Sequence, residues 1–166
     1  MTPWELTKPG TEHAHQRALF AWAANAALFG FNFAWEEAAY DHRTREHVAQ
    51  RIWANPVPKL TRLFAVHNQG HGDRIRGARA KAEGVKPGVP DIMLPVAQRG
   101  IDVMTCSGLF IELKRPKAVK RQGIASDKQF EWLAYLNDEG YIAVVCYGWE
   151  HAAKTIQNSM ERKLTR

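Results

Sequence analysis

The clearest fold signal in this sequence is Leu109-Phe110-Ile111-Glu112-Leu113-Lys114, six residues in which an acid and a base lie within an apolar run. Apolar residues at every second position are typical of a β-strand. Successive side chains of a strand point to opposite faces, so Glu112 and Lys114 share one face. Such a pair is either solvated at the surface or part of a reactive centre, and the flanking sequence has to distinguish these cases.

A second strand is predicted just upstream, over Asp91–Val96, with Pro95 marking its early end. A turn-rich run through Gly88 and Pro90 leads into it. The polar loop over residues 97–108 is short enough to join two antiparallel strands. Asp91 is therefore expected beside Glu112.

The remaining sequence alternates helix and strand signals, which predicts one α/β domain over residues 1–166. A helix between Lys114 and Tyr141 suits a parallel crossover, so the sheet should be mixed. Five helices are predicted: Thr11 (as N-cap) to Gly30, Glu36–Trp53, Asp73–Glu83, a helix that starts at Ser126, and Trp149–Leu164. The apolar side of the helix from Ser126 is expected to consist of Phe130, Leu133, Ala134 and Leu136. The other predicted strands are Leu60–Val66 and Tyr141–Tyr147, and Tyr141–Tyr147 is expected to be the most buried strand.

Composition restricts the class of protein. Lysine and arginine number 23 against 17 acids, a formal net charge of +6 that favours an anionic partner such as nucleic acid. No apolar run is long enough for a membrane span and no secretory signal is apparent, so we expect a cytoplasmic protein. Cys106 and Cys146 give no disulfide framework.

Asp91, Glu112 and Lys114 together match the needs of phosphodiester hydrolysis. Mg²⁺ takes oxygen ligands, commonly one or two carboxylates, and activates water. Lys114, one pleat beyond Glu112, can contact the attacking water or the phosphate, and a carboxylate-bound cation beside the ammonium is expected to lower its pKa. From these residues alone, a surface ion pair and a Pro-Asp turn remain an equal alternative.

The ordered motifs around these residues resemble the VRR-NUC family of the PD-(D/E)XK nuclease superfamily. They are GVPDIMLPV (88–96), GLFIELKRP (108–116), SDKQFEWL (126–133), the stretch from Gly140-Tyr141 to VVCYGW (144–149), and TEHAHQ (11–16), which is similar to the family's first helix. The resemblance implies a restriction-endonuclease-like core with a mixed central β-sheet flanked by helices.

The resemblance also implies roles for individual residues. Asp91 and Glu112 are expected to bind Mg²⁺ or Mn²⁺, with the Leu113 carbonyl as a further ligand and Lys114 as the catalytic lysine. Glu12 matches an acid of the first helix that reaches the metal, although favourable placement at a helix start explains it equally well. Gln129 matches a catalytic-site glutamine and also fits a capping box with Ser126.

Other residues are assigned by position. The basic residues that follow the catalytic strand are expected to contact DNA phosphates, or otherwise to form a solvated loop: Arg115, Lys117, Lys120 and Arg121. Residues 31–59 look like a helical insertion, in which Trp35 and Trp53 are candidate dimer contacts; Trp22 and Trp132 are expected in the core. His67, Asn68 and His71 form a polar turn or line the site, and no histidine set satisfies zinc.

The resemblance implies a structure-selective DNA endonuclease that acts as a homodimer on branched DNA such as four-way (Holliday) junctions, of the kind that phages encode. Two alternatives stay open. One is a monomeric flap or restriction-like nuclease, and the other is a DNA-binding module without catalytic activity.

Overall fold

The computed structural model describes residues 1–39, 55–66, 79–99, 105–116 and 123–161. The main sheet contains β1 (Phe64–Ala65), β2 (Ile92–Leu94), β5 (Leu109–Lys114) and β6 (Ile142–Tyr147), in the order β1-β2-β5-β6, and a two-stranded sheet contains β3 (Gln98–Arg99) and β4 (Thr105–Cys106). The longer helices and the N-terminal turn are α1 (Pro3–Leu6), α2 (Glu12–Phe29), α3 (Phe31–Ala39), α4 (Asp127–Asp138) and α5 (Trp149–Met160), and residues 79–82 are also helical.

The sheet is mixed, as the sequence predicts. β2 runs antiparallel to β5, with Ile92 opposite Ile111, and β5 runs parallel to β6, with Glu112 opposite Val145. The crossover between β5 and β6 contains α4. β2 and β5 each have a neighbouring strand on both sides, and β5 is the longer of these two inner strands.

Helix α2 supplies much of the core. The Thr11 side chain accepts the Ala14 amide N–H at 3.1 Å and starts the helix, and Gly30 ends it. Leu19, Trp22 and their neighbours on one face are fully buried against the sheet and the other helices. The predicted first helix is therefore confirmed at both ends. Among the described residues, no helix combines the length and the apolar character needed to cross a membrane.

Trp35 packs inside the chain, contrary to the expectation of a dimer contact. Its ring contacts Trp22 and Trp149, and its Nε1 donates a hydrogen bond to Gln157 Oε1 at 2.7 Å. Its helix starts at Phe31, earlier than the predicted Glu36, because aromatic residues on its first turns also pack on α2. The rest of that predicted helix, including Trp53, lies outside the described residues.

The predicted strand Leu60–Val66 is mostly wrong. A 3₁₀ helix, Pro58–Arg62, takes its first part and leaves only the two residues of β1. Pro58 fixes a backbone angle that suits a helical start. Leu60 and Leu63, three apart, are both buried, which matches the period of a 3₁₀ turn.

Burial also differs from the prediction in the two longest strands. All six residues of β5 are buried, whereas β6 buries only Ala143 and Cys146 fully, because β6 pairs on one side only among the described strands. The predicted loop at residues 97–108 contains β3 and β4, which pair antiparallel. The last helix ends at Met160 rather than at Leu164, and the two cysteines are free.

Candidate active site

Asp91 stands immediately before β2 and is fixed by the neighbouring strand. The register that pairs Ile92 with Ile111 brings the preceding residue alongside Glu112. The Leu113 backbone N–H donates a hydrogen bond to Asp91 Oδ2 at 3.0 Å. One oxygen of Asp91 is thus oriented by β5 itself.

Glu112 is the centre of the arrangement, and its side chain is fully buried. Lys114 Nζ lies 2.6 Å from Glu112 Oε1, and Gln129 Nε2 also donates a hydrogen bond to that oxygen. The other oxygen, Oε2, has no hydrogen-bond donor among the described residues. A buried carboxylate oxygen without a donor is unusual in a folded protein and needs an explanation, such as a bound ion or water.

Gln129 reaches Glu112 because α4 begins where it does. Gln129 Oε1 accepts the Ser126 amide N–H at 2.8 Å, which closes the capping box that the sequence predicts. Its Nε2 is then free to point to Glu112. The Gln129 side chain therefore caps α4 and contacts the Glu112 carboxylate at the same time.

Burial dominates the electrostatics of the two acids. It raises the pKa of Glu112 to about 7, and the nearby Asp91 raises it further while the hydrogen bond from Lys114 lowers it. Burial also raises the pKa of Asp91, although the Leu113 N–H opposes the shift. Two carboxyl groups in contact therefore resist carrying two negative charges without a balancing cation.

At Lys114, neighbouring groups outweigh burial in setting the pKa. Burial lowers its pKa, but the hydrogen bond with Glu112 and the charges of Glu112, Glu12 and Asp91 more than offset this, so the pKa is raised above its usual value. The lysine in this structure is a firmly protonated cation. The lowered pKa expected from the sequence presupposes a bound cation beside the ammonium, and it stays a prediction.

Glu12 also lies at this centre, although it is far away in sequence. A methyl group placed on the Gly123 Cα would lie 2.6 Å from Glu12 Oε1 and 3.2 Å from Lys114 Cβ. The Glu12 charge also raises the pKa of Asp91 and of Lys114. The first turn of α2 therefore brings its acid to the end of β5.

The donor set fits a hard divalent cation better than zinc. Within the described part of the chain, no three His, Cys, Asp or Glu side chains are close enough to hold a metal by themselves. Mg²⁺ needs only one or two carboxylates with waters, and Asp91 and Glu112 supply two. Glu12 forms no such three-residue group with these two acids in the described structure, and its contact with a metal stays a prediction.

A family model for the VRR-NUC domain matches residues 33–150. The chain belongs to the VRR-NUC family. The matched range includes Asp91, Glu112, Lys114 and Gln129, whereas Glu12 precedes it. A VRR-NUC domain is a nuclease-type domain, and such a domain implies a DNA partner.

Solved structures agree on the fold. A chain described as a VRR_NUC domain protein has a TM-score of 0.57 and 23% sequence identity, and the similarity covers 91% of this chain and 88% of that one. The architecture is an α/β restriction-endonuclease-like core with a mixed sheet and flanking helices. No curated protein sequence shows a significant match.

The predicted DNA-binding residues are only partly described in this VRR-NUC domain. Arg115 is half-buried directly after β5, and its carbonyl accepts the Gly123 N–H at 3.4 Å. The other predicted basic and polar residues lie outside the described part of the chain: Lys117, Lys120, Arg121, His67, Asn68 and His71.

Helix α4 contacts the residues that lead into Asp91, and this contact was not predicted from the sequence. Trp132 Nε1 donates a hydrogen bond to the Pro87 carbonyl at 3.2 Å. At Gly88, where φ is +89°, an added methyl group would lie 2.8 Å from the Lys128 carbonyl oxygen. The glycine in the approach to the Pro90-Asp91 pair is the only sequence signal of this contact.

The apolar side predicted for α4 is partly wrong. Leu133 and Leu136 are buried, but Phe130 is 52% exposed and Ala134 is also exposed. At 100° per residue these two lie to the side of the stripe that faces the sheet. Trp132 is half-buried rather than in the core.

Proposed function

We propose that this VRR-NUC domain is a Mg²⁺- or Mn²⁺-dependent endodeoxyribonuclease that cuts branched DNA, including four-way junctions. The observation that carries the proposal is the buried Glu112 carboxylate. Its Oε1 is held by Lys114 and Gln129, while its Oε2 lacks a hydrogen-bond donor in the described chain and the group interacts with Asp91. A bound cation would satisfy both acids.

The Asp91 and Glu112 carboxylates, with the Leu113 carbonyl, would hold the metal. When bound, the metal would supply Lewis-acid polarisation of the phosphate and a more acidic water. The Leu113 N–H and the Gln129 amide fix the two carboxylates before substrate arrives, which avoids reorganisation during the reaction. The Lys114 ammonium would contact the phosphate or the attacking water.

DNA binding is proposed to follow from charge. The net charge of +6 favours a polyanion, and Arg115 leaves β5 next to the proposed metal site. Lys117, Lys120 and Arg121 follow it in sequence and are proposed phosphate contacts. In a homodimer with two-fold symmetry, two such sites would suit paired cuts in a four-way junction.

A cleavage assay on matched substrates tests the proposal. A four-way junction, a flap and a linear duplex of the same sequence are incubated with Mg²⁺, Mn²⁺ or EDTA, using wild type and Lys114→Met. We expect wild type with metal to cut the junction preferentially, and EDTA and the variant to abolish cutting. DNA binding without a metal-dependent product would overturn the nuclease proposal and favour a silent binding module.

Sedimentation on the same samples tests the proposed assembly. A dimer that makes paired junction cuts is expected. A monomer that cuts flaps or linear duplex as well as junctions would replace this with the monomeric alternative. The oligomeric state is thus tested independently of the metal site and of the preferred DNA shape.

A further inference from the structure

Gly123 occupies a tightly enclosed position at the edge of the candidate site. A methyl group on its Cα would meet Glu12 Oε1 at 2.6 Å, the Arg115 amide nitrogen at 3.2 Å and Lys114 Cβ at 3.2 Å. Gly123 is not among the glycines with positive φ, so its backbone conformation is open to other residues. Space, rather than conformational freedom, is what this glycine provides.

We propose that Gly123 is a positioning residue: its missing side chain leaves the space that the Glu12 carboxylate occupies next to Lys114. Glu12 comes from α2 and Lys114 from β5, and Gly123 follows both in sequence. Three separate segments therefore meet at one point. The inference rests on the proposed function only where it concerns catalysis.

The three neighbours of Gly123 differ in how easily they can move. Lys114 is buried in the central strand, and the Arg115 backbone follows it directly. Glu12 is half-buried, and the atom in conflict is the end of its flexible side chain. An added methyl group is therefore expected to displace the Glu12 carboxylate and leave the strand in place.

Displacement of Glu12 has an electrostatic consequence at the site. Its negative charge acts on both Asp91 and Lys114 in the native arrangement. Gly123→Ala would remove that charge from the centre without changing any charged residue. The variant should therefore resemble Glu12→Ala.

A double-mutant cycle tests this directly, using wild type, Gly123→Ala, Glu12→Ala and the double variant. Turnover of a cleaved DNA and Mn²⁺ affinity without DNA are both measured. We expect each single variant to lose about tenfold or more in turnover or Mn²⁺ affinity. The double variant should match Glu12→Ala within about twofold. DNA KM should change little, and Gly84→Ala, whose methyl group meets nothing within 4 Å, should keep full activity.

Two outcomes would overturn the inference. One is a Gly123→Ala protein with wild-type turnover and wild-type Mn²⁺ affinity. The other is a Gly123→Ala effect on these quantities that is equally large in the Glu12→Ala background, which would indicate a shift of Lys114 or Arg115 instead. If wild type neither cuts DNA nor binds Mn²⁺, the proposed function fails, and crystal structures of metal-free wild type and Gly123→Ala still decide the positioning role. A displaced Glu12 carboxylate with an unmoved β5 supports it, and any other arrangement overturns it.

Discussion

Gln129 and Glu112 are joined by a direct side-chain hydrogen bond, although they lie 17 residues apart on a helix and a strand. The same glutamine accepts the Ser126 amide N–H with its Oε1. Both ends of one amide group are therefore used, one to begin α4 and one to orient the Glu112 carboxylate. The start of the helix and the geometry of the site are physically coupled.

Gln129→Ala should separate these two roles. Residues that orient a metal-binding carboxylate typically contribute about 10- to 100-fold in metal affinity or activity. We expect a loss of that size in Mn²⁺ affinity, measured by calorimetry, with a helix-capping cost of about 1 kcal/mol in unfolding. Ser126→Ala is the matched control, because it removes the Ser126 hydroxyl, which donates to Gln129 Oε1 at 3.2 Å, but keeps the backbone N–H that donates to the same oxygen at 2.8 Å. Equal Mn²⁺ affinity in Gln129→Ala and wild type would contradict the orienting role.

The stability of the metal-free protein should fall as pH rises from about 4.5 to about 7. The pKa of Glu112 rises from its ordinary value of 4.5 in the unfolded chain to about 7 in the fold, so between these values the folded state holds a proton that the unfolded state has lost. The free energy of unfolding then decreases with pH. Each pKa unit corresponds to about 1.4 kcal/mol. Asp91, whose pKa is also raised, acts in the same direction.

Urea unfolding in EDTA across this range, with Glu112→Gln as the reference, measures the effect. The comparison is needed because burial lowers the pKa of His15, which makes stability fall towards acid and opposes the trend. The variant should gain stability relative to wild type as pH rises. Adding Mg²⁺ near pH 8 should stabilise wild type and not the variant. If the difference in unfolding free energy between Glu112→Gln and wild type were the same at all pH values, the raised pKa of Glu112 would be refuted.

Lys114→Met should remove turnover while DNA binding in Ca²⁺ persists. Loss of one preorganised charge contact typically costs about 100- to 1000-fold in rate. Near pH 8 the variant should also lose metal-free stability, because the buried Glu112 must then either stay ionised without its cation or take up a proton. Adding Glu112→Gln to Lys114→Met should restore stability but not activity. Recovery of cutting in that double variant would argue against a catalytic role for Lys114.

Gly88→Ala should destabilise the fold more than Gly84→Ala. The two glycines have nearly the same φ, +89° and +88°, so an alanine is strained equally at both. Only at Gly88 does the new methyl group meet backbone, 2.8 Å from the Lys128 carbonyl oxygen. Strain alone costs about 1–3 kcal/mol. Thermal unfolding should show the larger loss for Gly88→Ala, and equal losses would show that the contact with α4 is unimportant.

The sequence predicts the contacts around Glu112 well because they follow from local patterns. Glu112 and Lys114 share a strand face through the two-residue period alone, and Ser126 with Gln129 follows a known helix-start pattern. The contact of Glu12 with the end of β5 was available only from the family resemblance. The space beside Gly123 was not predicted, because a glycine in a basic loop has many ordinary explanations.

Residue patterns are sufficient to predict the α/β class, the mixed sheet, the first helix from Thr11 to Gly30 and the position of Glu112 and Lys114 on one strand face. Periodicity, capping and the lengths of the connections between elements carry these predictions. Tertiary structure alone decided that β5 is buried on both faces, that Leu60–Val66 starts as a 3₁₀ turn, and that Gln129 reaches Glu112. Those outcomes depend on which elements pack together, and local residue patterns carry no information about the free energy of those distant contacts.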